Sequence, residues 1–115
     1  MAVTEINVAA SGGGNIPCMA AFPGGDPATA VVTVPSIFGV NDDMAMVAER
    51  LAGQGYIAVI PDPFWRDEDQ GVIGHDEEGR TRAFARMERT PFDQAFGDLT
   101  DVIDDLRARD DCNGK

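Results

Sequence analysis

The sequence predicts an α/β fold: a leading β-hairpin, then a parallel strand–helix–strand unit and two further helices. Three observations carry this expectation. Two short strand-like segments near the N-terminus are joined by glycines. Two apolar, β-branched runs flank a helix-patterned stretch between residues 29 and 62. The final long segment, residues 92–106, has the clearest helical periodicity in the chain.

Taken in order, TEINVAA at 4–10 alternates in character and suits a half-buried strand. SGGGN is turn chemistry, and IPCMAAF at 16–22 returns as a second strand. PGGDPA is a loop. TAVVTVP at 29–35 is a continuous β-branched run, the pattern of a strand buried on both faces. A helix follows, capped by Asn41 or Asp42, whose acidic start suits the positive end of the helix dipole. Met44, Val47, Ala48 and Leu51 form its apolar stripe, and Gly53 and Gly55 end it. YIAVIPD at 56–62 is a second buried strand, which completes a βαβ unit with a right-handed crossover. A polar loop containing Trp65 leads to RTRAFARMER at 80–89, expected to be helical with Ala83, Phe84 and Met87 inward. Pro91 interrupts. Phe92, Ala95, Phe96, Leu99, Val102, Ile103 and Leu106 then fall at helical spacing. A helix this amphipathic is expected to cross back to another parallel strand, yet only DDCNGK follows. The expectation is therefore either an uncovered sheet edge or a piece of something longer.

Length and charge limit the possible functions. The 115 residues suit one small α/β domain, not two. A hydrophobic share of 43% with 25% charged residues reads as globular. The net charge of −11 repels phosphates and anionic lipid, so neither nucleic acid nor a membrane surface is an expected partner. The surplus acid reads as a solvated surface. Apolar runs fall far short of the roughly 20 residues that span a bilayer. MAVTEINVAAS has neither the basic start nor the apolar core of a signal peptide. Cys18 and Cys112 fit no metal-ligand spacing, so reduced thiols and a cytoplasmic setting are expected.

Most candidates for chemistry have a plainer explanation. The nearest approach to a G-x-S-x-G elbow is Ala9-Ala10-Ser11-Gly12-Gly13, but a strand follows it rather than a helix, so it reads as a hairpin turn. Ser36 does lie between a strand and a helix, though without elbow spacing. His75, the single histidine, has no nucleophile at elbow spacing before it and reads as an exposed loop residue. Cys18 reads as packing and Cys112 as a turn residue without a base. SGGGN lacks the Lys-Ser/Thr of a phosphate loop. Asp62 follows a parallel strand, where such sheets place functional groups. A receiver-type phosphoacceptor, however, needs an acidic pair and a late lysine that are missing here. Arg80, Arg82, Arg86 and Arg89 suit carboxylate recognition, against a plainer reading as partners of the neighbouring acids.

VPSIFGVN at 34–41, VAERLAGQGYIAVIPDPFWR at 47–66, DEEGRTRAF at 76–84 and FGDLTDVIDDLRARDDCNGK at 96–115 occur in order. Together they resemble the N-terminal half of the dienelactone hydrolase family, within the α/β-hydrolase superfamily. The resemblance spans nearly the whole chain, residues 1–115 forming the N-terminal portion of one such domain. In that family NGK leads directly into the strand carrying the nucleophile elbow, usually with cysteine, and the acid and histidine lie further on. The resemblance thus implies a partial α/β-hydrolase fold that stops just before the nucleophile, with no triad residue and no activity on its own.

For the parent it implies hydrolysis of a carboxylic ester or lactone, a small molecule, through an acyl-enzyme. No metal or organic cofactor is implied. The turn after the 29–35 strand is the family's oxyanion loop, with the Ile37 backbone N–H as a donor. Loss of one such donor typically costs about 10²–10³ in rate. Arg80, by its place in DEEGR, matches an arginine that binds the substrate carboxylate. Ser36, expected with Arg80 to line the substrate site, stands where many members carry a glutamate that interacts with the thiol. The chain departs from the family there, so the resemblance does not extend to glutamate-gated thiol activation or to the dienelactone substrate itself. The competing expectation is a non-catalytic, self-associating binding module of the same fold. There, a homo-oligomer covers the open sheet edge and the Phe96, Leu99 and Ile103 face.

Overall fold

The computed structural model describes residues 2–115. β1 (Thr4–Ala9) and β2 (Asn15–Ala21) form the expected antiparallel hairpin, in register from Thr4 opposite Ala20 to Ala9 opposite Asn15. β3 (Ala30–Val32), α1 (Asp42–Gly53) and β4 (Ile57–Pro61) form the βαβ unit, with β3 and β4 parallel. β4 inserts between the hairpin and β3, giving the strand order β1-β2-β4-β3. Every residue of β4 is buried, as its continuous apolar pattern requires.

β3 corrects the sequence reading. It ends at Val32, three residues early, and its residues are only half-buried because it is one of the two edge strands of the sheet. The two helices of the core lie on opposite faces of the sheet. Ala48 and Ala52 of α1 pack with Ala21, Ala58 and Ile60. Val102 and Leu106 of α3 (Phe92–Arg107) pack with Val8, Ile16, Cys18, Ile57 and Val59. Alternation along the central strands thus serves two cores at once. Asn41 is the cap of α1, its side chain accepting the Met44 N–H at 3.2 Å.

α2 (Glu77–Glu88) starts three residues earlier than the sequence suggested, because Asp76 caps it by accepting the Gly79 N–H at 2.6 Å. Phe84 and Met87, expected inward, are exposed. The buried side of α2 is Gly79, Ala83 and Arg86: the helix seats on the 62–76 loop through a guanidinium rather than on the sheet through apolar side chains. Phe92 and Phe96 also turn outward, their rings 6.1 Å apart.

The closing residues do not hang free. Ala28 N–H donates to Asp111 O at 2.9 Å, Asn113 N–H to Ala28 O at 3.0 Å, and Ala30 N–H to Lys115 O at 2.8 Å. These bonds make one isolated parallel bridge, Ala28 with Cys112, just before β3, and tie Lys115 to Ala30.

Candidate functional site

The stretch from Val34 to Gly39 leaves the carboxyl end of β3, the position where open parallel sheets place ligands. A tight turn forms because Gly39 N–H donates to Ser36 O at 3.1 Å. Ser36 Oγ accepts the Phe38 N–H at 3.3 Å. Gly39 has a φ of +100°, and a Cβ there would meet Gly71 O at 2.9 Å, so no other residue fits. The carbonyls beyond the turn are also held. Ile37 O accepts from Arg86 Nη2 at 2.9 Å, and Phe38 O accepts the Ile73 N–H at 2.9 Å. The Phe38 ring lies 4.0 Å from the imidazole of His75, which is otherwise exposed, as the sequence suggested.

Among the described residues, the Ile37 N–H makes no hydrogen bond. The Ser36 N–H is likewise without an acceptor among them, and a fixed turn with unpaired backbone donors is suited to meeting an anionic oxygen. Ser36 is exposed beside it, with its hydroxyl engaged in the turn.

Arg80 lies at the fourth position of α2, exposed, with no side-chain hydrogen bond or ion pair among the described residues. It shares no hydrogen bond with Ser36 or Ile37. Its neighbours follow the plainer reading of the sequence. Arg82 pairs with Asp69 at 2.6 Å and Arg89 with Asp67 at 2.8 Å. The Arg89 guanidinium holds the Asp67 carboxyl down at about 2, and Arg82 lowers that of Asp69.

Arg86 belongs to neither class. Its side chain is fully buried and bonds three backbone carbonyls, and burial lowers its pKa. The sequence carried a signal for it, since Gly79, Ala83 and Arg86 recur at helical spacing. Phe84 and Met87 offered a more apolar stripe and masked it.

An apolar cleft of about 210 Å³ opens beside the same strand end, lined by Val34, Pro35, Asp62, Phe92, Phe96 and Leu99 among others. Asp62 sits at the exit of β4, where burial raises its pKa while its carboxylate accepts the Phe64 N–H at 2.9 Å. Asp98, also in this wall, is committed elsewhere: it takes both Arg66 nitrogens, at 2.7 and 2.8 Å, and the Trp65 indole N–H at 3.0 Å. Cys18 is buried under the sheet and its thiol is pushed up to about 12, first by burial, so it is packing and not a nucleophile. Cys112 is buried and free. No group of three or more His, Cys, Asp or Glu side chains is placed to hold a metal among the described residues. No helix among them is long and apolar enough to cross a membrane.

A mixed sheet in the order β1-β2-β4-β3, with helices on both faces and a free amide at the exit of β3, defines an α/β-hydrolase type of scaffold. The model of the dienelactone hydrolase family matches residues 16–115, and the chain belongs to that family. A carboxymethylenebutenolidase of Pseudomonas putida is 29% identical over 116 aligned positions, covering 100% of this chain and 49% of that protein. An Azospirillum brasilense protein with the provisional name carboxymethylenebutenolidase is 39% identical over 87 residues, 74% of this chain and 38% of its own length. The solved structure named m3DLH superposes with a TM-score of 0.71 at 27% identity, covering 96% of this chain and 45% of that one. The chain spans about half the length, or less, of the relatives it matches.

Proposed function

We propose that this chain supplies the oxyanion turn and the substrate-anion clamp of a carboxylic ester or lactone hydrolase that works through an acyl-enzyme. The observation that carries this reading is the Ile37 amide, fixed on a turn at the carboxyl end of a parallel strand and left without an internal acceptor. Membership of a hydrolase family supports it, as do relatives named carboxymethylenebutenolidase. In the reaction a nucleophile attacks the carbonyl carbon, and the carbonyl oxygen becomes an oxyanion that the Ile37 N–H meets. The oxyanion collapses, the ester C–O bond breaks and the alcohol (the ring oxygen, in a lactone) leaves with a proton, giving the acyl-enzyme; water then attacks the acyl carbon, releasing the carboxylic acid and the nucleophile. The nucleophile is supplied by a part of the protein outside residues 1–115. Arg80, with all its donors free, orients a substrate carboxylate. The substrate is a small molecule, and the chain alone is inactive.

The test is Ile37→Pro in the full reading frame. Ile37 is the second residue of the turn closed by Ser36 O and Gly39 N–H, a position that proline favours, so the variant removes the N–H and keeps the turn. Hydrolysis of a chromogenic carboxylic ester should lose about 10²–10³ in kcat with KM kept. A loss of threefold or less in a folded variant removes Ile37 from the reaction.

A second reading rests on a separate observation. Phe92, Phe96 and Val34 are 82%, 59% and 62% exposed around the apolar cleft. A self-associating, non-catalytic module would bury them between copies. Light scattering of the isolated chain discriminates: a monomer at all concentrations ends this reading.

A further inference from the structure

We propose that Arg86 is the positioning residue of the Ile37 turn, locking the peptide planes that aim the free amide. This rests on the reading of Ile37 as an oxyanion donor, and it adds a residue outside the turn itself.

Arg86 is the largest fully buried side chain among the described residues. Desolvating a cation is costly unless its donors are matched. Here the two terminal nitrogens are matched by backbone and not by a carboxylate, while Nε is buried without a partner. Nη1 donates to Asp69 O at 2.9 Å and to Gly71 O at 2.8 Å, and Nη2 donates to Ile37 O at 2.9 Å. The Phe64 ring covers the guanidinium face, its centroid 4.3 Å away. One rigid fork thus joins three segments: the turn after β3, the 69–71 loop and the exit of β4. The other arginines of this helix that form ion pairs are 42–48% exposed, so a merely structural charge could have been met at the surface as theirs are.

The geometry explains why the joint matters for the amide. The Ile37 N–H shares one planar peptide with Ser36 C=O, which Gly39 N–H holds. The next peptide carries Ile37 C=O, which Arg86 holds. With both planes fixed, the direction of the free N–H is set before any substrate arrives, the condition for electrostatic preorganisation. Lysine cannot replace the fork, because an ammonium is a point charge without the planar pair of donors that spans two loops. Gly39 and Gly71 complete the joint: a Cβ on Gly39 would press on Gly71 O at 2.9 Å and Arg86 Nη2 at 3.4 Å.

The experiment uses the 115-residue chain and needs no turnover, so its outcome is independent of the Ile37→Pro assay. Amide hydrogen exchange is measured in the wild type and in Arg86→Lys. The reporters are Gly39 N–H and Ile73 N–H, bonded to the carbonyls of Ser36 and Phe38. Both should exchange about 10- to 100-fold faster in the variant, the ratio that hydrogen bonds from a charged donor carry. Amides of β2 and β4 should keep their wild-type protection. Unchanged exchange at both reporters in a folded variant overturns the proposal. If Arg86→Lys does not fold, the wild type decides by its guanidinium NMR signals. Separate, slowly exchanging Nη protons for Arg86 support the lock, and averaged, fast-exchanging ones overturn it.

Discussion

Asp98→Ala is the most informative perturbation of the fold around the cleft. Asp98 is 5% exposed and accepts three hydrogen bonds: two from Arg66, at 2.7 and 2.8 Å, and one from the Trp65 indole N–H at 3.0 Å. The Arg66 guanidinium also lies 4.1 Å from the Trp65 ring centroid, so the three side chains act as one unit on α3. Arg66 is about one-third exposed and can turn to water when its acceptor goes, which limits its share. The indole N–H is left without a partner, at about 1–3 kcal/mol. With the residual loss of the charge-assisted pair, the whole change comes to about 2–4 kcal/mol. In a domain of this size that lowers Tm by about 10–25 °C. Urea unfolding read by the emission of Trp65, the single tryptophan, measures it directly. The midpoint should fall with an unchanged slope, and Asp98→Asn, which keeps one acceptor, should lose about half as much. A loss under about 0.5 kcal/mol, the scale of an ordinary surface change, refutes the reasoning.

Two predictions concern pH and have opposite signs. Asp67 is held at about 2 by Arg89, below the roughly 3.9 of a free aspartate, so its contribution is complete above about pH 4 and disappears as pH falls towards 2. Thermal melts of Asp67→Asn should therefore lie below the wild type at pH 7 and converge with it near pH 2; a gap that persists in acid would count against the pair. Asp62 is raised by burial, so its ionised form opposes folding above the raised pKa and the penalty vanishes below the ordinary value. Asp62→Asn keeps an acceptor for the Phe64 N–H and should melt higher than the wild type at pH 7, with the advantage gone by about pH 3. A variant that melts lower at pH 7 would show that the carboxylate is stabilised there.

The sequence made the hairpin, the βαβ unit and the final helix legible because each rests on local signals: period, turn chemistry and caps. It failed where tertiary context overrode the pattern. β3 reads as buried on both faces, but it lies at a sheet edge, where it meets the 111–115 segment through one backbone bond, Ala30 N–H to Lys115 O. Phe84 and Met87 read as inward because an apolar stripe is the usual way to seat a helix, whereas α2 is seated through Arg86 and two small residues. No composition rule anticipates a fully buried arginine. The turn at Ser36–Gly39 was visible as a strand-to-helix junction. That Ile37 carries its free amide depended on which carbonyls meet which donors, and one of those donors lies 49 residues away.

Arg80 poses the remaining question of economy within α2. The helix starts with Glu77 and Glu78, which complement its dipole, and a cation so near the N-terminal end works against it. Arg86 and Arg89 lie at the C-terminal end, where the dipole favours a cation, and Arg82 has a carboxylate partner in Asp69. Arg80 has neither, although Glu77 and Glu78 are within a turn of it. Glycine at 79 removes bulk beside it for a packing reason of its own, since a Cβ there would collide with Gly74 O. Fold stability therefore accounts for Gly79 and Arg86 but not for an arginine at 80. A residue that breaks a local rule without structural return is where a functional demand is expected to act. An unpaired guanidinium on the helix whose other arginine secures the Ile37 turn is consistent with that demand: it leaves five donors for an anionic substrate. Arg80→Gln should then keep Tm or raise it by a few degrees and, in the full reading frame, raise KM for carboxylate-bearing esters about tenfold while sparing neutral ones.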